Sequence, residues 1–146
     1  MRRKSLNKAA CPIARALDVI GDWWSLLIVR DALRGTTRFG DFQKSLGMSK
    51  NILTLRLRAL TEQNILELVP ASDGSAYSEY RLTAKGRSLY PVLVSLALWG
   101  QDNAPTKGPH AHLVDKERGE PVRRVDVVAS DGRILQPGET TMLRVP

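Results

Sequence analysis

TRFGDFQKSLGMSKNILTLRLRALTEQN, running from Thr37 to Asn64, decides how the rest of the chain is read. Phe39, Phe42 and Leu46 recur at helical spacing, Gly47 interrupts, and a second apolar series follows Ser49 at Leu53, Leu57 and Leu60. The pattern predicts two short helices with a tight joint. Ser49 suits the N-cap of the second, because its hydroxyl can accept from a backbone N–H of the first turn. On a helical wheel the three leucines and Asn64 share one side, while Lys50, Asn51, Thr54, Leu55 and Arg58 spread over the other. Those outer residue types suit a major-groove reader. Lysine and arginine reach phosphate or guanine, asparagine pairs with adenine through two bonds, and the methyls of threonine or leucine meet thymine. An ordinary solvated helix also carries a polar face, so this helix alone leaves both readings open.

Its neighbours favour the first reading. From Arg34 to Arg58 the basic residues are Arg34, Arg38, Lys44, Lys50, Arg56 and Arg58, and the only acidic one is Asp41. A phosphate backbone meets such a surplus favourably. Next come an apolar run from Ile65 to Val69, a loop holding Asp73, Gly74, Ser75 and Tyr77, and strand-like alternation from Glu79 to Leu82. This is a hairpin, and its place after the second helix makes it a candidate wing. The expected class is mainly α with a small β component, α+β.

Composition narrows the partners. The chain has 146 residues, a net charge of +7 and a pI near 10.0, which favours an anionic partner, nucleic acid or anionic membrane. No apolar run approaches a membrane span and Met1-Arg2-Arg3-Lys4 leads into no secretory segment, so a cytoplasmic, nucleoid-associated protein is expected. A single cysteine, Cys11, excludes an internal disulfide framework and a multi-cysteine zinc site. His110 and His112 sit together, no glycine-rich phosphate loop is present, and no triad can be assembled, so neither an enzyme nor a cofactor is expected.

In chain order, residues 1–10 read as a loose basic arm. Cys11-Pro12 opens a helix with a stripe of Ile13, Leu17 and Ile20, and Asp22 caps a second helix to about Leu33. Adjacent Trp23 and Trp24 cannot both face the core. Thr36 to Arg38 suggest a short strand against the wing. Thr83 caps a long helix from Ala84 to about Asn103 that Pro91 should bend. Leu89, Leu93, Leu96 and Trp99 form its seam, widened by Val92, Val94 and Leu98. A helix that apolar needs covering on two sides, most simply by a second copy of the chain. Residues 104–109 read as a linker. Residues 110–146 read as a small β appendage with nearly balanced charge: Val122–Val128 and Arg133–Leu135 flank an Asp131-Gly132 hairpin signal, and Thr141–Val145 is a further strand.

The blocks Cys11-Pro12-Ile13, Gly21-Asp22-Trp23-Trp24, Arg38 to Phe42, Leu53 to Leu60 and Glu79 to Gly86 resemble, over residues 11–103, the HxlR family of bacterial winged helix-turn-helix regulators, relatives of the MarR group. The resemblance implies a transcriptional regulator, most simply a repressor, bound as a homodimer to a palindromic site in double-stranded DNA. Arg38, Lys44, Ser49, Lys50, Asn51, Thr54, Leu55, Arg56 and Arg58 would face the duplex. Ile13, Leu17, Leu89, Leu93, Leu96 and Trp99 would line the dimer interface. The wing departs from the pattern, with Pro70 where a basic residue often stands and no Lys or Arg from Ala71 to Ser78. Cys11 matches a cysteine that some relatives use as a thiol sensor, which makes an oxidant or small molecule a candidate effector. His112, Gly119 and Ser130-Asp131-Gly132 look like the remnant of a zinc-ribbon extension that has lost its cysteines, so a metal-free hairpin is expected. The alternative is a thiol- or ligand-responsive sensor whose output runs through a protein partner on the appendage.

Overall fold

Helix starts and stops follow the sequence punctuation in the computed structural model, which describes residues 4–146. Met1, Arg2 and Arg3 of the expected arm lie outside the described residues. The elements are α1 (Pro12–Ile20), α2 (Trp23–Leu33), α3 (Phe39–Leu46), α4 (Lys50–Glu62), β1 (Leu66–Pro70), β2 (Ser78–Leu82), α5 (Ala84–Arg87), α6 (Tyr90–Asn103), β3 (Val127–Val128) and β4 (Ile134–Leu135). This is the expected α+β order of a winged helix-turn-helix. The chain divides into two compact units, one ending at Tyr90 and the other starting at Pro91.

In the first unit, Asp22 caps α2 by accepting from the Ser25 N–H at 2.9 Å. Gly47 ends α3 with φ of 63°, a left-handed turn that a side chain would strain, and Ser49 caps α4 by accepting from the Ile52 N–H at 3.3 Å. The joint therefore turns sharply within three residues. Ile28 and Val29 of α2, Phe42 of α3, Leu53, Leu57 and Leu60 of α4, and Ile65 and Leu66 entering β1 are all at most 1% exposed. Each such side chain stabilises the fold by about 1.5–3 kcal/mol.

β1 and β2 pair antiparallel, with Leu66 opposite Leu82, Leu68 opposite Tyr80 and Pro70 opposite Ser78. Thr83 then fastens the hairpin to α5. Its N–H donates to the Ile65 carbonyl at 3.1 Å, and its hydroxyl accepts from the Gly86 N–H at 3.1 Å, starting the helix. A Cβ on Gly86 would lie 2.2 Å from the Ile65 carbonyl oxygen and 2.8 Å from Leu82 Cδ2. Gly86→Ala is expected to cost about 1–3 kcal/mol or more by forcing the α5 and β1 backbones apart, read as a lowered urea midpoint.

Glu79, 4% exposed, accepts from the Ser72 N–H at 3.1 Å, the Ser72 hydroxyl at 3.0 Å and the Arg81 guanidinium at 3.2 Å. These bonds, that of the Ser72 N–H foremost, hold its carboxyl below the usual range against the opposing effect of burial. A carboxyl lowered on folding contributes stability above its unfolded value, and that stability is lost as pH falls through the lower folded value. The melting temperature should be level above roughly pH 5 and fall below roughly pH 4. Glu79→Gln should make the acid limb shallower; an unchanged limb would place the acid sensitivity elsewhere.

Several expectations are corrected. Asn64 does not join the buried face of α4: the helix ends at Glu62, and Asn64 is exposed with φ of 56°, a left-handed residue turning the chain into β1. Thr36 to Arg38 form no strand; one bond, from the Tyr80 N–H to the Thr37 carbonyl at 2.7 Å, replaces it. The long helix from Ala84 is broken at Ser88 and Leu89, and Pro91 stands in the first turn of α6. Proline lacks the N–H for an interior helical bond and crowds the carbonyl four residues back, so the chain restarts there instead of bending. Nor is the described part of the arm loose, since Asp18 accepts from the Ser5 hydroxyl at 2.9 Å and the Leu6 N–H at 2.8 Å.

In the second unit Val94 and Leu98 of α6 are buried, whereas Val92, Leu96 and Trp99 are exposed. The Leu113 N–H donates to Gln101 Oε1 at 2.8 Å, a bridge joins Val114 and Pro121, and β3 and β4 form the expected hairpin with Val127 opposite Leu135. The strand expected over Val122–Val128 shrinks to two residues. Thr141–Val145 forms no strand, because no ladder satisfies its backbone; Leu143 and Val145 are more than 80% exposed.

Candidate nucleic-acid interface

Burial of Leu53, Leu57 and Leu60 fixes which way α4 presents its other residues. Lys50, Asn51, Thr54, Leu55 and Arg58 are all exposed, as the wheel predicts, and Ser49 stands exposed at the cap. Lys44 is exposed on α3. Among the described residues Lys44, Lys50 and Arg58 join no ion pair, so their charges face solvent uncompensated. The Thr54 hydroxyl donates back to the Lys50 carbonyl at 2.8 Å, which satisfies it within the helix. Sequence reasoning passed over Ile52, which is 42% exposed at the edge of this face. Its signal was its position, 100° away from Leu53 on the wheel. Ser49→Ala should cost about 1 kcal/mol by leaving a first-turn N–H unsatisfied, read in thermal unfolding; no change would mean that water caps α4 equally well.

Two of the six basic residues in this region are engaged elsewhere. Arg56 is half-buried, with Nε 3.4 Å from Asp22 Oδ1, so it ties α4 to the cap of α2. Arg38, at the N-cap of α3, donates from Nη2 to Asp73 Oδ2 in the wing loop and places its guanidinium 5.5 Å from the centre of the Tyr77 ring. Asp73 Oδ1 accepts from the Ser75 N–H at 2.9 Å, and Gly74 supplies the positive φ of 74° that the turn needs. The Ser75 N–H first, and Arg38 after it, hold the Asp73 carboxyl down to about 2. The wing residues Asp73, Gly74, Ser75 and Tyr77 are thus brought together with Arg38.

The apolar candidates divide between two helices. On α1 Ile13 and Leu17 are exposed, and on α6 Leu96 and Trp99 are exposed while Leu93 is half-buried; Leu89, half-buried, falls in the turn before α6. Cys11 is exposed at the N-cap of α1. Trp23 is the outward member of its pair, 74% exposed and edge-on to Trp24 at 6.2 Å. A cleft of about 410 Å³ opens among Leu33, Thr37, Tyr80, Arg81, Arg87 and Tyr90, with no tryptophan in its lining. Among the described residues no group of three or more His, Cys, Asp or Glu could hold a metal, and no helix is long and apolar enough to cross a membrane.

The HxlR-like helix-turn-helix family profile matches residues 19–108. An uncharacterised HTH-type transcriptional regulator of Mycobacterium tuberculosis, Rv3095, is 39% identical over 109 residues, spanning 74% of this chain and 69% of its own length. Among solved structures, the crystal structure of PA1607, described as a candidate transcription factor, is 52% identical with a TM-score of 0.88, covering 97% of this chain and 100% of its own. The redox regulator HypR in its oxidised form is 31% identical with a TM-score of 0.59, covering 66% of this chain and 100% of its own.

Proposed function

The chain belongs to the HxlR-like helix-turn-helix family of transcriptional regulators, and on that premise we propose that it binds a palindromic promoter site in double-stranded DNA as a homodimer and represses transcription there. The observation that carries this reading is α4 itself. One side is locked into the core by three leucines, and the other offers Lys50, Asn51, Thr54, Leu55 and Arg58 to solvent with their polar ends free or self-satisfied. Asn51 and Arg58 read base edges, Thr54 and Leu55 meet thymine methyls, and Lys44 and Lys50 neutralise phosphates.

A single such helix covers too few base pairs to specify a promoter. The exposed apolar residues Ile13 and Leu17 on α1, and Leu96 and Trp99 on α6, suit burial against a second copy. Two-fold pairing would bring two α4 helices to successive major grooves, about 34 Å apart. Exposed Cys11 and the likeness to HypR support a thiol response. An oxidant should then alter operator binding by the wild type and leave Cys11→Ser unaffected; an equal response in both would remove the cysteine from the mechanism. The reading as a whole is tested by titrating genomic promoter fragments against random duplex at physiological salt. A preference of about 10³-fold or more is expected, and no preference would refute sequence-specific regulation.

A further inference from the structure

The basic surplus around the helix-turn-helix is smaller in the fold than in the sequence, and the reason lies in the wing loop. Resting on the DNA-binding reading above, we propose that Asp73 sets how strongly the wing side of the site holds DNA of any sequence: it pairs with Arg38 and keeps that charge from the phosphate backbone. The clamp has three parts. Arg38 Nη2 donates to Asp73 Oδ2, the guanidinium covers Tyr77 at 5.5 Å, and Asp73 is fixed in turn by the Ser75 N–H at 2.9 Å. Arg38 thereby commits Nη2 and one face of its guanidinium to the wing loop, at the surface of the protein.

The consequence is electrostatic. The loop from Ala71 to Ser78 contains no Lys or Arg, so nothing in it replaces the charge that Asp73 cancels. Binding to random duplex rests on phosphate contacts, whereas binding to an operator adds base contacts, here those of α4. Pairing one cation with an anion beside the duplex removes one positive charge from the common phosphate contribution and leaves the base readout intact. Operator and random duplex are weakened alike, so the pair lowers DNA affinity as a whole.

The informative substitution is Asp73→Asn. An asparagine Oδ1 still accepts from the Ser75 N–H, so the turn is kept, while the amide nitrogen that replaces Oδ2 cannot accept from Arg38. Binding of the full-length wild type, D73N, R38A and R38A/D73N to random duplex is measured by fluorescence anisotropy across a salt series, with circular dichroism to confirm folding. D73N is expected to bind random duplex roughly 5- to 10-fold tighter near 0.1 M salt, with the slope of log K against log salt steeper by about 0.9 for each additional phosphate neutralised. R38A should match the wild-type slope, and R38A/D73N should lose most of the D73N gain. A D73N slope equal to that of the wild type would overturn the clamp, as would a slope flattened by about 0.9 in R38A, because Arg38 would then reach phosphate despite Asp73. Either result leaves DNA binding itself standing. Absence of any wild-type binding at low salt would instead overturn both this inference and the reading it rests on.

Discussion

Replacing Phe42 with alanine is expected to lower the free energy of unfolding by about 3–5 kcal/mol, the usual cost of truncating a fully buried phenylalanine. Phe42 is inaccessible to solvent on α3, within the cluster that Ile28 and Val29 of α2 and Leu53, Leu57 and Leu60 of α4 complete. α2 touches both α3 and α4, so the cavity would open among the three helices that fix the direction of α4. A typical domain has only about 5–15 kcal/mol in hand, and the variant should be partly unfolded at 37 °C and deficient in DNA binding for that reason alone. Urea titration reads the loss. The control is Leu55→Ala, which removes an equally apolar side chain that is 61% exposed and should shift stability by no more than about 0.5 kcal/mol. Comparable losses in the two variants would mean that Leu55 is packed against protein and that the outer face of α4 is misassigned.

How much of this was legible in the sequence depended on whether the deciding interaction was local. The α3–α4 pair was readable because helical periodicity, a left-handed glycine and a serine cap all lie within a few residues of what they control. The buried stripe of α4 followed from the same periodicity, and so did the outward placement of Lys50, Asn51, Thr54, Leu55 and Arg58. The hairpin was placed within one residue at either strand. Asn64 shares the leucine face on a wheel but lies beyond the end of the helix at Glu62, and asparagine tolerates the left-handed conformation that turns the chain there. An apolar run with Pro91 inside it suggests a bent helix, but the chain breaks after Arg87 and starts afresh at Tyr90, which puts the proline in a first turn.

What the sequence could not show was pairing at a distance. Arg38 and Asp73 are 35 residues apart, and Arg56 and Asp22 are 34 apart. In a charge count all six basic residues between Arg34 and Arg58 weigh the same; in the fold Arg38 and Arg56 are held by carboxylates, while Lys44, Lys50 and Arg58 have no such partner among the described residues. The C-terminal strand failed for a related reason. The apolar residues of Thr141–Val145 after the Pro137-Gly138 turn signal show capacity for a ladder, but a strand exists only where a neighbour supplies the hydrogen bonds.

Asn51→Ala and Arg58→Ala are each expected to cost about 1–3 kcal/mol per lost base contact on an operator and much less on random duplex. The two residues are seven apart on α4, two turns and about 10 Å along the axis, so they would contact different base pairs and their losses should add. A homodimer presents each substitution twice. One variant therefore loses about 2–6 kcal/mol per dimer on a palindromic site, an affinity ratio of about 30-fold at the low end and enough to erase detectable binding at the high end. Lys44→Ala should behave differently, weakening operator and random DNA alike and reducing the salt slope by about 1 per subunit. The contrast separates base reading from charge alone, because a merely basic surface would lose affinity evenly with any of the cations and would ignore Asn51, which carries none. Equal losses on operator and random duplex from Asn51→Ala would remove α4 from the major groove. A lone effect of Arg58→Ala would leave α4 a phosphate-binding helix without sequence discrimination.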